Sequence, residues 1–72
     1  MNEKPIAAYF APDFTVYILD NKNGFVRSYF YKDGKRGRIT TNRINKDEHN
    51  REYFSKGKIR FHLDEFKSDI KT

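Results

Sequence analysis

The sequence predicts a small α+β domain built on an antiparallel sheet of about four strands, with one or two short helices beside it. Three observations point there. The turn dipeptides Asn23-Gly24 and Asp33-Gly34 separate runs rich in β-branched and aromatic residues, which is the local signature of consecutive hairpins. Residues 58–63, KIRFHL, alternate polar and apolar side chains, the period of a half-buried strand. Two further stretches, residues 46–55 and 64–71, carry helix-start chemistry. A short curved sheet of this kind would close towards a small SH3-like or OB-like barrel.

Size sets the next constraint. A chain of 72 residues is a single domain, residues 1–72, and one this short buries only about 60% of its unfolded surface. Seven Phe and five Tyr answer that shortage, because each aromatic ring can bury about 150–250 Å². Hydrophobic residues make up 36% and charged residues 35%, a balance that leans towards disorder. The aromatic density decides for a folded core. The absence of cysteine excludes disulfides, thiolate metal sites and a cysteine nucleophile, and fits a reducing compartment. No signal-peptide run is present near Met1, and no stretch approaches the roughly 20 apolar residues of a membrane span. A soluble, cytoplasmic protein with no membrane partner is therefore expected.

Taken in order, Met1 to Lys4 are expected to fray, as are residues 71–72. Pro5 and Pro12 bracket Ile6 to Ala11 and each removes a ladder donor, so this piece reads as an edge strand or a loop on the core. Residues 14–19, FTVYIL, read as a central strand, because Phe14, Val16 and Ile18 share one face while Thr15, Tyr17 and Leu19 share the other. Residues 25–32 and 36–44 follow as a hairpin around Asp33-Gly34, and Gly37 marks a weak point or a bulge in the second arm. Asn45 with Glu48 resembles a capping box, and Gly57 a helix stop, around a helix at 46–55. Phe66 and Ile70, at i,i+4 after Asp64-Glu65, suggest a terminal helix over 64–71. The expected core is Phe14, Val16, Ile18, Phe30, Ile39, Ile59, Phe61 and Phe66.

Charge is distributed unevenly. Residues 22–46 hold eight bases (Lys22, Arg27, Lys32, Lys35, Arg36, Arg38, Arg43, Lys46) against Asp33 alone, a net of +7. The first 21 residues carry −2 and the last twelve −1, within a total of +5. A basic middle between mildly acidic ends attracts polyanions.

The hairpin register sharpens this. With Asp33-Gly34 as the turn, Tyr31 opposes Arg36, Tyr29 opposes Arg38, Arg27 opposes Thr40 and Phe25 opposes Asn42. Period-two alternation then gathers Phe25, Arg27, Tyr29, Tyr31, Arg36, Arg38, Thr40 and Asn42 on one face, with Val26, Ser28, Phe30, Ile39 and Thr41 on the other. Arginine forks pair with phosphates and guanine edges, and exposed rings stack on bases. Lys35, Arg36 and Arg38 at the tip, with Arg43 beyond, add phosphate contacts. The competing reading makes Phe25, Tyr29 and Tyr31 core residues with arginine heads at the rim. A one-residue slip at Gly37 would mix the two faces.

Other chemistry finds little support. His49 and His62 have no metal-ligand spacing, so no metal or cofactor is expected. No nucleophile elbow, P-loop or GxGxxG is present, so neither an enzyme nor a small-molecule substrate is expected. The order strand, strand, strand, helix resembles that of small DNA-readers that lay a three-stranded sheet in the major groove; the strand at 58–63 departs from it. The leading expectation is a non-catalytic module for DNA or RNA. The alternative is a small effector or inhibitor, such as a virus or mobile element encodes, that binds an acidic protein partner through the same Tyr/Arg surface. A third possibility is an accessory subunit stable only within a complex.

Overall fold

The structure, a computed structural model, describes residues 4–68. The expectations for Met1 to Glu3, for Ile70 and for residues 71–72 lie outside the described residues. Among the described residues eight strands form two antiparallel sheets: β1 (Ala7–Phe10), β2 (Thr15–Lys22), β3 (Phe25–Lys32), β4 (Lys35–Arg36), β5 (Thr40–Arg43), β6 (Asn45–Lys46), β7 (Glu52–Lys56) and β8 (Ile59–His62). The larger sheet runs β1-β2-β3-β4, with β5 also on β3. The smaller is β6-β7-β8. Hydrogen bonding thus divides the strands into two sheets, where a single four-stranded sheet curling into a barrel was expected. Among the described residues, no helix is long and apolar enough to cross a membrane.

Both turn dipeptides act as their chemistry requires. Asn23 and Gly24 sit at φ 57° and 80°, and Asp33 and Gly34 at 54° and 75°. Two successive positive φ values make the tight primed turns whose twist matches that of the flanking strands.

Among the described residues neither expected helix forms. Residues 46–55 contribute β6, a turn, and β7. The Asp47 carboxylate accepts the backbone N–H groups of His49 and Arg51, at 2.8 and 3.0 Å. A side chain that satisfies the backbone locally competes with helix, and Asn50 at φ 63° turns the chain back. Burial then favours a strand: period-two alternation points Phe54 inward and Tyr53 outward, whereas a helix would turn both to nearby angles. At the C-terminal end the helical piece is one 3-10 turn, Leu63–Glu65. Phe66 is already extended, and the Lys67 backbone bonds Ala8 in both directions, at 2.8 and 2.9 Å. Those bonds use the groups that would have continued a helix. The fold is therefore mostly β.

The core lies between the inner faces of the two sheets. Val16, Ile18, Val26, Phe54 and Phe61 form its buried cluster, with Phe14, Phe30 and Phe66 among the rings packed on it. Phe61 is the hub, with ring contacts to Tyr9, Phe14, Phe30, Phe54 and Phe66. Two expected core residues are elsewhere. Ile59 is 43% exposed at the β7–β8 turn, opposite Lys56. Ile39 is half-buried in the break between β4 and β5, outside the cluster.

Lys56 is the unusual member of this interior. Its side chain is buried. Nζ donates to the Ser28 carbonyl at 3.2 Å and to Thr40 Oγ1, and lies 5.1 Å from the Phe30 ring centre. Burial lowers its pKa. Beyond the core, Arg51 grips Asp64 with two nitrogens at 2.9 and 2.7 Å, and His62 meets Asp47 at 2.9 Å. These contacts tie the 47–50 turn to β8 and the 3-10 turn.

Candidate nucleic-acid interface

The site begins with an irregularity at Gly37. As the turn chemistry requires, Lys32 faces Lys35 and Tyr31 faces Arg36. The Gly37 N–H then donates to the Phe30 carbonyl at 2.7 Å. A Cβ at Gly37 would stand 3.3 Å from that carbonyl oxygen, so glycine suits the close approach. After it, pairing resumes one residue out of phase: Ser28 faces Thr40, Arg27 faces Thr41, Val26 faces Asn42 and Phe25 faces Arg43.

This slip corrects the expected face, since it turns the following side chains over. Thr40 and Asn42 lie on the inner side and bond to the smaller sheet and to each other. Thr40 accepts Lys56 Nζ and donates to Asn42 Oδ1 at 3.1 Å, while Asn42 Nδ2 donates to the Ser55 carbonyl at 2.8 Å. Thr41 and Arg43 take their places on the outer face. Arg38 lies in the break itself and is exposed.

The smaller sheet packs on the other side of the larger one, and the outer face leaves Phe10, Phe25 and Tyr31 exposed while Ala8 and Tyr29 within it are buried. Its residues fall into rows across the strands. One row is Phe10, Thr15, Tyr31, Arg36. The next is Ala8, Tyr17, Tyr29. After the β2 irregularity between Ile18 and Asp20 come Asp20, Arg27, Thr41, and then Lys22, Phe25, Arg43.

Phe25, Tyr29 and Tyr31 all lie on this face and outside the inter-sheet cluster. Phe25 is 46% exposed and Tyr31 40%. Tyr29 is buried within the face itself, with Tyr17 at 5.5 Å and the Arg36 guanidinium 5.5 Å from its ring centre. Its phenol pKa is raised, first by burial and then by the Tyr17 neighbour. Tyr17 also meets Tyr31 edge-on at 5.9 Å. The face is thus a fixed tyrosine cluster bordered by exposed rings. Phe10, 59% exposed, joins it from β1.

The cations differ in their commitments. Arg27 donates from Nε to Asp20 at 2.7 Å, and this bond holds the Asp20 carboxyl below its ordinary pKa. Arg36 lies against Tyr29. Lys35, Arg38 and Arg43 are exposed, and among the described residues no carboxylate pairs with any of them. Such charges are open to an outside anion.

Sequence reasoning missed Tyr17, Phe10 and Lys22 as members of this face. The signal for Tyr17 was present in the polar-edged alternation of Thr15, Tyr17 and Leu19, but only the β2–β3 register joins it to Tyr29. Among the described residues no three His, Asp or Glu side chains converge to hold a metal ion. No protein-family model, curated protein or solved structure gives a significant match to the chain.

Proposed function

We propose that this chain is a cytoplasmic, non-catalytic nucleic-acid-binding module that works through the outer face of its larger sheet. The observation that carries the reading is the combination of exposed rings on the outer face with exposed cations beside them, Lys22 and Arg43 in the Phe25 row and Lys32, Lys35 and Arg38 at the hairpin tip and in the break, none of which forms an ion pair with a carboxylate among the described residues. Lys35, Arg38 and Arg43, with Lys22 and Lys32, supply phosphate contacts. Phe25 and Tyr31 supply apolar surface for bases. The concentration of charge in residues 22–46 gives the long-range attraction that steers a polyanion to this side.

Titration of labelled single- and double-stranded DNA and RNA at about 50 and 200 mM salt tests this. With about four phosphate contacts, affinity should fall roughly a hundredfold between those conditions. Charge reversal at Lys35 and Arg38 should reduce both affinity and salt slope. Absence of salt-sensitive binding tighter than about 10⁻⁴ M rejects the proposal.

A second reading draws on Phe10 and on Ile6, which is also exposed. Apolar groups at the β1 flank suit an acidic protein partner as readily as a base. A stoichiometric protein recovered from nuclease-treated lysate, and lost on Phe10→Ala, would favour it.

A further inference from the structure

We propose that the nucleic acid taken by this face is single-stranded, with Phe25 and Tyr31 as its two stacking platforms; this rests on the nucleic-acid reading above. The first argument is width. A two-stranded ribbon fits the roughly 12 Å major groove of B-DNA. The β3–β4 ribbon is only two residue pairs long before the Gly37 break. Beyond it β3 is flanked by neighbours on both sides, and the four strand positions of the sheet span about 14 Å between outer axes. The face is too broad to enter the groove, and the free ribbon is too short to read it.

The second argument is what the rings require. The faces of Phe25 and Tyr31 gain from stacking only on a base whose own face is free. In a duplex those faces are already stacked on their neighbours; in a single strand they are available. Placement agrees with this. Phe25 sits in its row between Lys22 and Arg43, so a base on the ring has a cation on either side for its phosphates. Tyr31 has Arg36 beside it and the Lys32–Lys35 pair at the tip. The two rings stand six positions apart on β3, about 20 Å of strand. That is room for a segment of several nucleotides, within the range of about 4–16 that single-strand-binding folds occupy.

The test uses the full chain with a labelled single strand of about 12 nucleotides and a hairpin duplex of matched sequence, in DNA and RNA forms. The single strand should bind at least about tenfold more tightly than the duplex. Phe25→Ala and Tyr31→Ala should each weaken it about tenfold to a hundredfold, while Tyr31→Phe keeps the affinity. The chain has no tryptophan, so Phe25→Trp introduces a single reporter. Its fluorescence should be quenched by the single strand and not by the duplex, which remains readable should an alanine variant fail to fold. Equal or tighter duplex binding, unchanged affinity in folded alanine variants, or an indole that the single strand leaves unquenched in Phe25→Trp each overturns the inference while leaving salt-dependent binding, and so the broader proposal, in place. Failure of every probe to bind removes both.

Discussion

Phe54 and Phe25 look alike in the sequence, yet they should fail in opposite ways. Phe54 has no exposed surface and stacks at 5.8 Å from both Phe61 and Phe66. Truncating such a ring to alanine costs about 3–5 kcal/mol. A chain of 72 residues has a total stability of about 4–11 kcal/mol. Phe54→Ala should therefore remove about a quarter of the stability or more, and at the lower end of that range unfold the protein. Urea unfolding followed by far-UV circular dichroism measures this: with a slope of about 1 kcal/mol per molar, the midpoint should fall by about 3 M or the native baseline vanish. Phe25→Ala should cost less than about 1 kcal/mol, since nearly half of that ring already faces water, and should leave the midpoint close to that of the parent. A loss below about 1 kcal/mol for Phe54→Ala would mean that the two sheets do not enclose the core. Equal losses for both variants would put Phe25 in the interior and remove the basis of the open face.

Three further outcomes follow from local features. Gly34 has φ 75° with open space around its Cα, so Gly34→Ala should cost about 1–2 kcal/mol from backbone strain alone, read as a lowered Tm. The backbone N–H of Arg51, with help from His62 and His49, lowers the Asp47 pKa from 3.8 to about 2. A depressed carboxyl stabilises the fold above its unfolded pKa, and that contribution disappears as pH falls from 3.8 through about 2. Asp47→Asn should flatten this part of an acid-unfolding curve, and an unchanged curve would assign the acid limb elsewhere. Lys56 has its pKa lowered from 10.5 by burial, so the unfolded chain holds its proton more tightly. Stability should rise with pH between the lowered folded value and 10.5, and Lys56→Met should abolish that rise.

Much of the larger sheet was legible because its signals are local. Asn23-Gly24 and Asp33-Gly34 demand positive φ, and each placed a turn where the chain turns. The alternation in residues 14–19 and 58–63 found strands for the same reason. The missed helices show the limit. Asn45 and Glu48 carry the letters of a capping box, but Asp47 bonds the backbone first, and Phe54 is satisfied only when the opposing sheet is in place. Neither fact is local. The face was read to within one residue. Gly37 was recognised as a weak point, but whether it shifts the phase depends on the Phe30 carbonyl and on the bonds that Lys56 and Ser55 offer to Thr40 and Asn42. Those partners come from the smaller sheet, which no pattern in residues 25–44 announces.

The bridge between Ala8 and Lys67 bears on the order of assembly. From β1 to β4 each strand pairs with its neighbour in the chain, so these contacts close short loops at small entropic cost. The Ala8–Lys67 bridge joins positions 59 residues apart and gains little until both sheets have docked. It is the expected last bond of folding and the first to open in the native state. The Ala8 amide should then exchange with solvent well before the amides shared by β2 and β3, and what it releases is the Lys67 segment, leaving β1 paired with β2 alone.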